Sequence, residues 1–207
     1  MDIPGLFRTI CVSAPPVLLA ITAHEMAHAY AAYRLGDSTA LRAGRLSLNP
    51  FRHIDVFGTL LLPALMVFMG LPGFGWAKPV PINAACLRNP KRDMFWVAAA
   101  GPASNALMAA GWLVFLRLLP VDGNVSLLKS MCGIGVGINF IMTAVNLLPV
   151  PPLDGGRIAI SLLPLRWAVR FARIEPFGLF IVIALVWCGF FDKFLFPLLF
   201  RQFAFLF

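Results

Sequence analysis

Charge is scarce in these 207 residues: Asp, Glu, Lys and Arg together make up 13%, about half the share usual in a soluble domain. Acids are the scarcest group, nine against seventeen Lys and Arg, and there are only three histidines. Hydrophobic residues reach 60% and mean hydropathy is +0.84. Together these values exclude an ordinary soluble domain and indicate a polytopic membrane protein, of a length that suits one compact domain with a few spans.

Cysteine is sparse too. Cys11, Cys86, Cys132 and Cys188 form no CxxC pair, which excludes a zinc ribbon and a disulfide framework; lone cysteines in apolar segments behave as small buried hydrophobes. Internal repeats and low-complexity linkers are also lacking. A net charge of +8 would suggest nucleic acid in a soluble chain. Here Lys and Arg gather in loops, as membrane orientation demands, and no nucleic-acid partner is expected. Only Arg8 precedes the first apolar run. A cleaved signal peptide is not expected, since cleavage would discard the motif that this run carries.

Five apolar regions are present: about 16–33, 58–71, 94–116, 131–148 and 177–191, the last followed by a further apolar stretch to 207. Pro15 and Pro16 can start or kink the first helix. The small residues of 98–111 and of "GIGVG" (133–137) permit close helix packing in lipid. Arg166, Arg170 and Arg173 recur at i, i+4 and i+7 within 158–173, which predicts an amphipathic helix along the membrane surface.

The polar exception within the first region is "AITAHEMAHAY" (20–30). His24 and His28 are four apart, so on a helix both imidazoles share one face and can grip one metal ion. Glu25 lies beside them, placed to meet a water at that metal. Ionisable groups within one turn of a membrane helix are rare and usually functional. A catalytic zinc site wants three protein ligands. The strongest acidic candidate is Asp154 in "NLLPVPPLDGG" (146–156), where Pro149, Pro151 and Pro152 forbid a regular helix. Taken alone, Asp154 reads equally well as an ordinary turn residue.

HEMAH on an early span, with N-x-x-P-x-x-x-x-D-G from Asn146 to Gly155, resembles the site-2 protease family of intramembrane zinc metalloproteases. "AGPASN" (100–105) is similar to that family's G-P-x-x-N element, and "GWAKPVPIN" (75–83) to the stretch that prokaryotic members place before it. The resemblance implies one Zn2+ per chain held by His24, His28 and Asp154, with Glu25 as general base. Asn146 would be a substrate- or transition-state-binding amide, and Gly101, Pro102 and Asn105 structural or cavity-lining. His53 stays open between loop cap, interfacial histidine, outer-sphere partner and alternative ligand. Implied with it are an all-α membrane fold and transmembrane protein substrates. The fold would be a three-helix catalytic core with a membrane-embedded re-entrant loop or β-hairpin region and C-terminal helices. A single domain over 1–207 is expected, its core at about 16–156, without a PDZ- or CBS-like module. A metal-ion transporter and a silent pseudo-protease are the rival readings.

One zinc shared by His24, His28 and Asp154 also constrains topology. If all four of the first regions crossed the membrane, the first and fourth would run in opposite directions and the ligands would end on opposite sides. The second region, 58–71, is short for a span and carries Pro63, which predicts re-entry instead. Arg34, Arg42, Arg45 and Arg52 precede it and Lys78, Arg88, Lys91 and Arg92 follow it, placing both flanks in the cytoplasm. The expected location is the prokaryotic cell membrane, with the site toward the cytoplasm.

Overall fold

The computed structural model describes residues 3–69, 75, 77–120, 126–191, 193 and 197. They are helical where regular, and no strand forms among the described residues. The chain divides into two compact units, Met1–Thr143 and Ala144–Phe207.

In the first unit, α1 (Ile3–Arg34) starts well before Pro15 and Pro16 and carries both inside it, rather than beginning at them. Val12, Pro16, Ala20, His24, His28 and Ala32 are all buried. Their spacing of four marks one ridge along the helix. The facing ridge lies on α4 (Pro90–Leu118), where Val97, Gly101, Asn105 and Ala109 are buried at the same spacing. Small side chains on both ridges let the two backbones approach closely. His24 pairs with Asn105 and His28 with Val97, so the two helices are antiparallel.

The last helix of this unit, α5 (Ser126–Asn146), also packs against α4. A side-chain carbon on Gly135 would meet the Trp112 ring at 2.5–2.7 Å, and the Thr143 hydroxyl, bonded to the Asn139 carbonyl of its own helix at 2.9 Å, lies 3.3 Å from the Pro102 carbonyl. This pairing is antiparallel as well. Hence α1 and α5 run in the same direction, and the C-terminal parts of both lie along 97–105 of α4. That is the arrangement which the topology argument requires.

Among the described residues, α1, α4 and α5 are the three helices long and apolar enough to cross a membrane. The second apolar region instead forms a wide turn at Val56–Leu61 and a short helix, α3 (Leu62–Phe68). The expected β-hairpin gains no strand among the described residues, and part of the stretch, 70–74 and 76, lies outside them. Residues 77–83 are neither helix nor strand: Pro79 and Pro81 cannot donate to a ladder.

The loop after α1 is built on Asp37, which is fully buried. Its carboxylate accepts from the Thr39 amide (2.9 Å), opening the one-turn helix α2 (Thr39–Arg42), and from the Asn83 amide (2.7 Å). Burial pushes the Asp37 carboxyl up. The Thr39 side chain and amide, the Asn83 amide and the Arg42 charge outweigh that effect and hold it below its ordinary value.

In the second unit, the expected helix over 158–173 is two helices, α6 (Asp154–Leu162) and α7 (Leu165–Ala172). The break falls at Pro164, which lacks an N–H and disfavours helical backbone at Leu163; Leu163 is extended at φ −66°, ψ 146°. Gly155 and Gly156 open α6 beneath the turn at 147–151. A side-chain carbon on Gly156 would lie 2.6 Å from the Val150 carbonyl carbon, so the Gly-Gly pair is a packing requirement. The final described helix is α8 (Gly178–Trp187). Of the expected helices over 176–207, residues 192, 194–196 and 198–207 lie outside the described residues.

Candidate metal centre

His24 and His28 are 5% and 6% exposed on the ridge of α1 that faces α4. The His28 Nδ1 lies 2.7 Å from the Val97 carbonyl oxygen. A carbonyl can only accept, so Nδ1 carries the proton and Nε2 of the neutral ring bears a lone pair. His24 Nδ1 likewise faces the Asn105 Oδ1 at 3.1 Å. Both Nε2 atoms then point at one another across 3.1 Å.

Two lone pairs converging at that distance repel unless a cation sits between them. Two nitrogens bound to a tetrahedral zinc, each at about 2.0–2.1 Å, are about 3.3 Å apart, so this pair has the bite that zinc needs. Partners on the second ring nitrogen are what usually orient metal-binding histidines. Gly101 completes the cradle: a side-chain carbon there would run into the His28 ring and come within 2.7 Å of His24 Cε1. The residues fit the ion that the sequence motif implies.

Glu25, one residue along, is half-buried and its carboxylate has a backbone partner outside α1. Its Oε2 accepts the Val80 amide hydrogen at 3.0 Å. Val80 is buried, and its own neighbours are Pro79 and Pro81. The backbone around it is held in turn: Lys78 N–H donates to the His53 carbonyl (2.9 Å) and Arg88 N–H to the Leu35 carbonyl (3.1 Å).

His24, Glu25, His28 and Asn105 are thus gathered by the α1–α4 interface and the 77–83 stretch. His53 is 1% exposed, and its Nε2 lies 2.8 Å from the Ser47 carbonyl; with its backbone on Lys78, it ties the 47–53 loop to the 77–83 stretch. In the second unit, Asp154 is 6% exposed in the first turn of α6, and Asn146 is the half-buried last residue of α5. Sequence reasoning missed Val80, whose contribution is a backbone amide, and the Val97 carbonyl for the same reason. It placed Asn105 near the cavity without its histidine partner. The spacing of four shared by Val97, Gly101 and Asn105 was the available signal.

Comparison with known proteins agrees with this geometry. The family model described as Peptidase family M50 matches residues 123–189. "Putative zinc metalloprotease YwhC" of Bacillus subtilis (strain 168) is 37% identical over 175 residues, spanning 82% of this chain and 77% of that protein. "Putative zinc metalloprotease Rip2" of Mycolicibacterium smegmatis is 29% identical over 192 residues, 91% of this chain and 71% of the relative. No solved structure matches the chain. An HExxH helix with a zinc-sized histidine pair, in a chain this similar over most of a protein named as a zinc metalloprotease, leaves one assignment. The chain belongs to peptidase family M50, the site-2 protease family of zinc metalloproteases.

Proposed function

We propose that residues 1–207 act as one intramembrane protease domain that hydrolyses peptide bonds in or near transmembrane segments of membrane-protein substrates. The reading is carried by the converging His24 and His28 Nε2 atoms, 3.1 Å apart, on a helix long and apolar enough to span a membrane. Asp154 is proposed as the third ligand. Its place in the N-x-x-P-x-x-x-x-D-G element that begins at Asn146 supports this, since that element matches the pattern of the family. Zinc, when bound, polarises the scissile carbonyl and acidifies the attacking water.

The chain's own groups do the rest. The Glu25 carboxylate takes the proton of the attacking water and returns it to the leaving amine nitrogen. The Val80 amide, donating to Oε2, holds that carboxylate in place before substrate arrives. Asn146 is proposed to hold the substrate backbone or the developing oxyanion through its side-chain amide. A helical substrate hides its peptide bonds, so the segment to be cut must unwind locally.

The site is proposed to open toward the cytoplasm of a prokaryotic cell membrane. Cysteines introduced at 45 and 88 would then react from the same side, and opposite sidedness would sink the topology. Glu25→Gln tests the chemistry: zinc content should stay at the parent level while cleavage of a transmembrane reporter falls about 10²–10⁴-fold. Unchanged cleavage would overturn the role of Glu25, and zinc transport without proteolysis would favour a transporter.

A further inference from the structure

The loop that follows α2 holds a cavity of about 290 Å3, lined by Gly44, Arg45, Phe51, Arg52, Ile54 and Lys78 among others. Three cationic side chains line it and no acid does. Among the described residues, no carboxylate pairs with Arg45, Arg52 or Lys78. Like charges gathered around one open cavity repel, and an anion placed between them removes that cost.

Arg45 donates to the Arg52 carbonyl, and Arg52 donates to the Gly44 carbonyl. Each uses one guanidinium nitrogen there, and the remaining N–H groups of a planar fork suit the oxygens of a phosphate. Gly44 shapes the turn that carries Arg45. It ends α2 in the left-handed region at φ +67°, with its amide donating to the Leu41 carbonyl and that of Arg45 to the Ala40 carbonyl, a Schellman turn. A side-chain carbon at Gly44 would strike the Arg52 guanidinium.

We propose that Arg45, Arg52 and Lys78 form a binding site for a phosphate group, separate from the metal centre. The ligand class is a phosphate monoester, diester or pyrophosphate, whether on a lipid headgroup or free in solution. Phe51, 81% exposed on the rim, gives an acyl chain an apolar surface beside the charges. The backbone of Lys78 is bonded to His53 and lies two residues from the Val80 amide that holds Glu25, so the site adjoins the segment that positions the general base.

The test uses the full chain in phosphatidylcholine nanodiscs, with and without phosphatidylglycerol. Pyrophosphate is titrated calorimetrically, and retained phosphatidylglycerol is counted by native mass spectrometry. Lys78→Gln, which removes a side chain holding no other described group, should weaken the bound species about tenfold, the loss expected for one charged hydrogen bond, at an unchanged unfolding midpoint. The triple change Arg45→Gln, Arg52→Gln and Lys78→Gln should abolish binding. Saturable pyrophosphate binding without anionic lipid identifies a soluble ligand, whereas retained phosphatidylglycerol lost in the variants identifies a headgroup. Equal behaviour of parent and both variants with both probes overturns the proposal.

Discussion

The amide of Val80 donates to the Glu25 carboxylate across 3.0 Å, linking positions 55 residues apart. Pro79 and Pro81 have no amide hydrogen, so Val80 supplies the sole backbone donor of that Pro-Val-Pro tripeptide. The prolines also keep the residues before them out of helical backbone. A rigid tripeptide with one donor, aimed at the residue beside the histidine pair, reads as a holder for Glu25. Lacking donors at two positions of three, it is a poor template for adding a further strand.

Asn105→Ala removes the acceptor for the His24 Nδ1 proton. Zinc affinity, measured by competition with a chelator, should fall about 10–100-fold, the usual effect of losing such an orienting partner. Asn105→Asp keeps an acceptor and should retain most of it. Equal zinc affinity in the Ala variant would refute the orienting role.

Gly101→Ala should be damaging even though alanine is the better helix former by about 1 kcal/mol, because the new methyl group enters the space of both imidazoles. Zinc content should drop with stability. Gly133→Ala, where a side-chain carbon meets nothing within 4 Å, is the matched control and should leave both unchanged or slightly raise the unfolding temperature.

If Asp154 is the third ligand, Asp154→Ala should reduce zinc content to near that of His28→Ala. Because a negative side chain in the first turn also favours α6 by about 0.3–1 kcal/mol, Asp154→Glu, which keeps that charge but moves the carboxylate by one methylene, should separate the effects, costing metal while leaving helical content intact. Normal zinc content in both variants would remove Asp154 from the site.

Asp37 predicts a pH dependence of stability. Its carboxyl is held below the ordinary value of 3.8, so the folded state favours the ionised form. The resulting stability is complete above pH 3.8 and is lost as pH falls from there through the lower folded value. Asp37→Asn should unfold more readily at pH 6 and show a flatter decline as pH falls below 3.8. A parallel decline in parent and variant would exclude Asp37 as the titrating group.

Much of this protein is legible in one dimension because membrane and helix each impose a local rule. Low charge and long apolar runs identify α1, α4 and α5, since a lipid-facing segment must be apolar along most of its length. HEMAH is readable because the helical period puts residues four apart on one face. Even the shared direction of α1 and α5 follows once the second region is seen to be too short to cross. Other features needed the folded chain. The bonds of Val80 and Val97 come from backbone groups, which every residue type shares, so no residue identity announces them. The pairing of Asn105 with His24 depends on the register between two antiparallel ridges, and the break at Pro164 on how α6 and α7 end and begin. Local periodicity determines which side chains share a face; long-range packing decides which faces meet, and through them where the proton of each histidine resides.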